Sequence, residues 1–262
     1  MHIKYSTQGL LIYAAIAAYL LTFLTVVIRL RKTSLFFFFA GFVVSCFAYG
    51  FRWYIIGRIP MQNLFEVFLF IACCIFPLSI LCKKVLKTPI SALDSLIGAS
   101  VLFPAGFIFS EKSLPLPPAL QSPLFIPHIA VYLLAYILMT KAAMEACAQV
   151  IGLKNYSERL VRGEEAAYRL VCASFPLLTC GLIFGCLWAQ FAWADWWGWD
   201  PKEMWSLASW LSFAGYFFYR AAFGTKFPRL NSLWVITGFI LILITLLWAN
   251  LSSLFSGLHS FA

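Results

Sequence analysis

The sequence predicts an all-α, polytopic integral membrane protein with about eight transmembrane helices and both termini on the outer face. Of its 262 residues, 63% are hydrophobic and 11% are charged, and the mean hydropathy is +0.88. This composition is far more apolar than that of a soluble domain. The apolar residues come in runs of about 20 without alternation. Because hydrocarbon offers a peptide group no hydrogen-bond partner, such runs should cross the membrane as helices.

Eight apolar runs, each bounded by charged residues or by Pro and Gly, define the predicted helices. They cover residues 8–29, 35–56, 64–82, 90–110, 128–151, 170–192, 205–223 and 231–254. The first run is too long for a signal peptide and is followed by Arg29, Arg31 and Lys32, so we expect it to be retained. The sequence indicates a single membrane domain over residues 1–262.

The connections between these runs alternate in charge. One set carries thirteen of the nineteen Lys and Arg residues, whereas the other set holds only Lys4, Arg58, Lys112 and Lys202. By the positive-inside rule the second set lies outside, together with both termini. The net charge of +9 therefore indicates membrane orientation, and no nucleic-acid partner is expected.

The eight cysteines lie inside or at the ends of the apolar runs, and none belongs to a CxxC pair. Cysteine in this setting is usually a small packing residue. We therefore expect neither a disulfide framework nor a thiol-exchange activity.

Five tryptophans lie close together in the predicted outer connection 193–205, among four charged residues. Tryptophans of an ordinary interfacial belt are instead scattered singly at helix ends. Asp200, Pro201 and Glu203 predict the start of a helix with Asp200 as its N-cap, so the loop should be ordered. An ordered cluster of flat rings suits a large, flat, apolar ligand. A tetrapyrrole, haem, is the candidate. The tryptophans are Trp193, Trp196, Trp197, Trp199 and Trp205.

Histidines are the candidate iron ligands, since haem iron is held by His, Met, Cys or Tyr. His128, at the start of the fifth predicted helix, and His259, near the C-terminus, fall on the same predicted face as the tryptophans. The alternative for each is a hydrogen-bonded structural role. The remaining histidine, His2, lies in a terminus that we expect to be frayed. Five prolines between Glu111 and Pro127 predict a stiff, extended segment before His128.

Two charged groups near the outer ends of adjacent predicted helices are Arg52 and Glu66. They are expected to form an ion pair, although a contact from Arg52 to a haem propionate is the alternative. The connection from Lys154 to Arg169 mixes Arg and Glu, which favours a short amphipathic surface helix with i,i+4 pairs.

The string from Trp196 to Trp205 resembles the WWD signature of haem-handling proteins in cytochrome c biogenesis, a family that includes CcmC, CcmF and CcsA (ResC). The Pro-Lys-Glu continuation at 201–203, Trp210, the segment from Pro60 to Glu66 and the ending Gly257 to Phe261 resemble CcsA specifically.

This resemblance implies that His128 and His259 ligate the iron of haem b. It implies a subunit of a cytochrome c synthase, which works with a CcsB/ResB-type membrane subunit to form thioether bonds between haem and the CxxCH motif of apocytochrome c. The protein would lie in the lipid of a bacterial inner membrane, with its active face toward the periplasm. No catalytic side chain is implied. The implied cofactor-binding residues are His128, His259, Trp193, Trp196, Trp197, Trp199, Asp200 and Trp205.

The sequence departs from the family in one respect. Family members commonly have two further histidines within the membrane, and this chain has none to offer. One such position aligns with Phe218, and Arg58 stands where chloroplast relatives have His. Haem would then arrive laterally from the bilayer, or a Met or Tyr would replace the histidine. Two other functions stay open: a haem exporter or chaperone without attachment activity, and a non-haem structural membrane subunit.

Overall fold

A computed structural model describes residues 3–88, 90, 92–113, 115–151 and 163–248. Over these residues the chain is helical, without strands, which confirms the predicted all-α fold. The α-helices of the described chain are α1 (Thr7–Val27), α2 (Arg31–Ile56), α3 (Leu64–Leu81), α4 (Ala92–Phe107), α5 (Phe125–Ile151), α6 (Gly163–Trp193), α7 (Pro201–Phe223) and α8 (Pro228–Leu243). Short π-helical segments, Cys82–Leu86 and Ile244–Trp248, continue α3 and α8, and a 3-10 turn covers Pro118–Leu120.

Six helices of the described chain are long and apolar enough to cross a membrane: α1, α2, α3, α5, α6 and α8. The protein is therefore a polytopic integral membrane protein, as predicted. The α4 helix is apolar but has only 16 residues, and α7 is not among the six. Membrane crossing by these two helices, and with it the total of eight spans and the outer position of the termini, stays a prediction.

The described chain divides into two compact units. Unit 1 comprises Met1–Val85 and Pro89–Pro115, and unit 2 comprises Leu86–Thr88 and Leu116–Ala262. Unit 1 therefore contains α1 to α4, and unit 2 contains α5 to α8.

The core of unit 1 is organised around Tyr19 of α1, whose side chain is fully buried. Its hydroxyl donates a hydrogen bond of 2.9 Å to the carbonyl of Ala72 on α3. Its ring lies against two glycines, Gly41 on α2 and Gly98 on α4, where an added Cβ would be 3.0 Å and 2.8 Å from ring atoms. Glycine thus lets two helices approach one aromatic ring, and this single side chain ties all four helices together.

A buried carboxylate, Glu66, lies in the first turn of α3. It accepts hydrogen bonds from Arg52 Nη2 at 2.9 Å and from Arg58 Nη1 at 3.3 Å. The Gln62 amide donates to it as well, at 2.9 Å. Arg52 in turn donates to the carbonyl of Glu111 at 2.6 Å. The predicted pairing of Arg52 with Glu66 is confirmed, and the buried charges of this cluster compensate one another.

In unit 2, α6 begins at Gly163, seven residues before the predicted start at 170. The apolar pattern missed this first segment because it carries Glu164 and Glu165. Both carboxylates are paired: Arg220 at the end of α7 contacts Glu164, and its Nη2 lies 2.9 Å from Glu165. Arg169 also pairs with Glu165 at 3.1 Å, as the i,i+4 prediction required. These residues belong to α6 itself, and positions 154–162 of the predicted surface helix lie outside the described residues.

Replacing Glu66 by Gln should destabilise the protein by about 3 kcal/mol, because it leaves the buried guanidinium of Arg52 and the partly buried one of Arg58 without their counter-charge. Denaturant unfolding in mixed detergent micelles measures the change. Glu111→Gln is the matched control, since Glu111 is only partly buried and accepts one hydrogen bond, from Ser6, that Gln can also accept. We expect this control to lose less than about 1 kcal/mol. Equal stability of the two variants would refute a structural role for the Glu66 charge.

Candidate functional site

His128 lies in the first turns of α5 and is half-buried. Its Nδ1 is 2.9 Å from the carbonyl oxygen of Gly181 on α6. A carbonyl oxygen can only accept, so Nδ1 carries the proton and the lone pair of the neutral ring is on Nε2. Metal-binding histidines typically use this arrangement, in which one ring nitrogen donates to a backbone carbonyl and the other coordinates.

Two glycines of α6 make room for this contact. A Cβ at Gly185 would lie 2.8 Å from Cε1 of His128, and a Cβ at Gly181 would lie 2.9 Å from the ring of Tyr132. Both distances are shorter than any normal carbon–carbon contact. The two glycines, four residues apart on one helix face, therefore fix how closely α5 approaches α6 and where the imidazole lies.

An aromatic cluster surrounds His128. Its ring stacks on Trp188 of α6, with centroids 5.8 Å apart and planes at 21°, and it meets Tyr132 edge-on at 5.1 Å. The Trp188 side chain is buried, and its ring is 4.8 Å from that of Trp193, the last residue of α6. The imidazole is thus connected through Trp188 to the start of the tryptophan-rich loop.

The proline-rich segment before His128 packs on the same cluster. Its 3-10 turn, Pro118–Leu120, brings the Ala119 carbonyl to within 2.9 Å of Trp188 Nε1, which donates to it. Leu120 and Phe125 are buried against Trp188. The segment is therefore held in place beside the histidine, although it contains a helical turn where the sequence predicted a wholly extended chain.

The loop between α6 and α7 is organised by Asp200 and Glu203. The Asp200 side chain accepts from the Lys202 amide at 2.9 Å, while Glu203 Oε2 accepts from the amides of Gly198 and Asp200 at 2.9 Å and 3.2 Å. This capping box confirms the predicted N-cap. Trp199 adopts a positive φ of 54°, which a tryptophan rarely does and which the carboxylate bonds on either side hold in place.

The tryptophan rings of the loop are partly open to the surroundings. Trp196 and Trp199 are 55% and 68% exposed, and the Trp197 ring meets the Trp199 ring edge-on at 6.0 Å. The indole N–H of Trp197 is buried and has no hydrogen-bond partner within the described part of the chain. A buried donor of this kind is costly unless an acceptor is supplied.

Burial changes the charge state of Lys202, which lies beside the loop. Burial lowers the pKa of Lys202 to about 8, although the neighbouring Asp200 carboxylate partly counteracts this shift. The ammonium group is therefore partly neutral under mildly alkaline conditions.

The structure thus places seven of the eight predicted cofactor-binding residues in unit 2, and His259 lies outside the described residues. They are His128 on α5, Trp193 at the end of α6, Trp196, Trp197 and Trp199 in the loop, Asp200 at the N-cap and Trp205 within α7. Ring contacts connect His128 with Trp193, through Trp188, and Trp197 with Trp199.

Sequence reasoning missed three residues of the site: Trp188, Gly181 and Gly185. The glycines had a usable signal, because a GxxxG spacing within an apolar helix marks close helix packing. Trp188 had no such signal, because one tryptophan inside an apolar run can equally be a packing residue or a site residue. Trp210, noted for the family resemblance, donates to Thr179 at 2.9 Å and links α7 to α6.

A half-buried imidazole and a tryptophan-rich loop thus lie on the helical scaffold of a polytopic membrane protein. Comparison with known proteins identifies one family. The model of the family described as cytochrome C assembly protein matches residues 61–259, and the chain belongs to that family.

Curated relatives carry the name cytochrome c biogenesis protein CcsA. The one from Chlamydomonas reinhardtii is 32% identical over 224 residues, which cover 80% of this chain and 63% of that protein. The one from Prochlorococcus marinus strain MIT 9303 is 31% identical over 250 residues, covering 80% of this chain and 78% of that protein. The chain thus spans less than two thirds of the Chlamydomonas protein. The predicted CcsA-type resemblance is confirmed.

Gly185→Ala should displace the His128 ring, because its new Cβ would occupy the space of Cε1. We expect a loss of about 1–3 kcal/mol in stability, typical of overpacking, and a changed near-ultraviolet circular dichroism signal from Trp188. The control is Gly50→Ala on α2, where nothing lies within 4 Å of the new Cβ and stability should stay the same or rise by up to about 1 kcal/mol. Unchanged stability and an unchanged Trp188 signal in Gly185→Ala would show that α6 does not position the histidine.

Proposed function

We propose that this chain binds haem at the outer membrane face and presents it for covalent attachment to the CxxCH motif of apocytochrome c, as a subunit of a cytochrome c synthase. Family membership supports a role in cytochrome c biogenesis. The single observation that carries the proposal is the geometry of His128. Its Nδ1–H bonds to Gly181, so Nε2 is the coordinating nitrogen of a ring held beside an exposed tryptophan loop.

The residues present fit a haem. A tetrapyrrole needs an axial ligand and flat apolar contacts. His128 offers the ligand nitrogen, and the exposed rings of Trp196 and Trp199 offer the apolar surface. The buried N–H of Trp197, which meets no acceptor among the described residues, is suited to an acidic acceptor such as a propionate. Both hydrogen-bonding and apolar groups of the loop are therefore matched to this class of ligand.

The second axial ligand in this proposal is His259. It lies within the residues that match the family model, and the chain has only three histidines in all. The imidazoles of His128 and His259 would together hold the iron of the bound haem.

Haem, as substrate, supplies vinyl groups across which the cysteine thiols of CxxCH add. In each addition sulfur bonds to one vinyl carbon and the thiol proton goes to the other, so no external oxidant or reductant is consumed in the net step. The chain's own contribution is positioning. His128 and the tryptophan loop hold the substrate in one orientation, and such positioning alone can lower a barrier substantially. No nucleophile from this chain is required.

We place the protein in a bacterial inner membrane with its site facing the periplasm, and we propose a CcsB/ResB-type membrane subunit as its partner. The partner would present the apocytochrome. The positive-inside distribution of Lys and Arg supports this orientation, because the tryptophan loop falls in the sparsely charged set of connections.

The histidines provide a direct test. Purified His128→Ala and His259→Ala variants should each show altered Soret and reduced absorption bands, because one axial ligand is lost, and the double variant should retain little haem. His2→Ala is the matched control and should match the wild type. Haem content and spectra unchanged in the double variant would refute the proposed ligation, provided that all proteins elute as a single species in detergent.

A further inference from the structure

One end of unit 1 carries four basic side chains without a described ionic partner. Arg29, Arg31 and Lys32 lie at the turn between α1 and α2, and Lys83 lies in the π-helical segment after α3. All four are exposed. Within the described residues none of the four side chains forms an ion pair or hydrogen bond. We call these four residues the basic end of unit 1.

Ring contacts show that these cations lie at the same level of two neighbouring helices. Phe39 of α2 lies 5.6 Å from Phe76 of α3, and the two helices are antiparallel. Seven residues separate Phe39 from Lys32, and seven separate Phe76 from Lys83, which is about 10 Å along each helix. Both lysines therefore lie on the same side of the Phe39–Phe76 contact, at about the same height along the helix pair.

No carboxylate in the described part of unit 1 offsets this charge. Glu66 and Glu111 belong to the polar cluster at the start of α3, which is the opposite end of the unit. Asp94, in the first turn of α4, is 1% exposed, and in the described part of the unit it forms no ion pair with any of these four cations. The first turn of α2 also contains no acidic residue, so the positive end of its dipole adds to the field of Arg31 and Lys32.

Exposed apolar side chains directly adjoin the cations. Ile28 precedes Arg29, and Phe36 lies one turn beyond Lys32 toward the middle of α2; both are more than half exposed. Cationic groups next to an apolar surface match a ligand with an anionic head and a hydrocarbon tail. An inorganic anion would satisfy only the first of these two features.

We propose that the basic end of unit 1 binds the headgroup of an anionic phospholipid, whose acyl chains lie along Ile28 and Phe36. Each Lys or Arg near an anionic membrane surface adds to the attraction, so several acting together give a marked preference over a zwitterionic lipid. This site is independent of the proposed haem site, which lies in unit 2.

Lipid titration of the full chain in mild detergent tests the proposal, with bound lipid counted by native mass spectrometry. We expect phosphatidylglycerol to bind saturably and about tenfold or more tightly than phosphatidylcholine, with a preference that weakens as salt is raised. Equal binding of the two lipids would overturn the proposal. Displacement by inorganic phosphate at equal concentration would also overturn it, because the site would then recognise phosphate without the acyl chains.

Variants assign the binding to these residues. Arg31→Gln, Lys32→Gln and Lys83→Gln combined should reduce phosphatidylglycerol binding about tenfold or more, while the charge-conserving set Arg31→Lys, Lys32→Arg and Lys83→Arg should retain it. Lys112→Gln, an exposed position at the opposite end, should also bind as the wild type does. Retained preference in the neutralised variant would place the lipid elsewhere and overturn the proposal. Matching near-ultraviolet circular dichroism of all proteins confirms that the fold is intact.

Discussion

The hydrogen bond from His128 to the Gly181 carbonyl exists because α5 and α6 approach each other at two glycines. A side chain at either position would push an aromatic ring aside. The carbonyl then fixes the imidazole tautomer, and the stack on Trp188 fixes the ring plane. Trp188 is itself held by the proline-rich segment and by Trp193. The direction of His128 Nε2 thus depends on one close helix–helix contact.

Internal hydrogen bonds and ion pairs also hold polar side chains elsewhere in the described chain. Hydrocarbon cannot solvate a charge or a peptide group, so a polar side chain within or near a span is stabilised by a bond inside the protein. Glu66 is held between two arginines, Tyr19 bonds a carbonyl of a neighbouring helix, and Trp210 bonds Thr179. The buried indole N–H of Trp197 has no partner among the described residues, as is also true of the hydroxyl groups of Ser212, Tyr216 and Ser232.

Local chemistry could be predicted from the sequence, and long-range geometry could not. Asp200 as an N-cap follows from Asp-Pro with Glu203 three residues after the Asp, and the pairing of Arg52 with Glu66 follows from two charges at the ends of adjacent helices. The contact of His128 with Gly181 joins residues 53 positions apart, and no periodicity encodes it. The start of α6 was misplaced because its first turns carry charges that only tertiary pairing with Arg220 explains. Phe218, which the family resemblance aligned with an intramembrane histidine, is 80% exposed on α7.

Covalent attachment tests the central claim most directly. The chain would be co-expressed with a CcsB/ResB-type subunit and a CxxCH substrate in cells that lack their own cytochrome c maturation proteins. The pyridine haemochrome spectrum of the purified substrate then distinguishes thioether-bound haem from free haem b. Our account predicts thioether-bound haem with the wild-type chain, and little or none with His128→Ala or with a substrate whose two cysteines are replaced by Ser. Equal attachment by the wild type and His128→Ala would contradict the account.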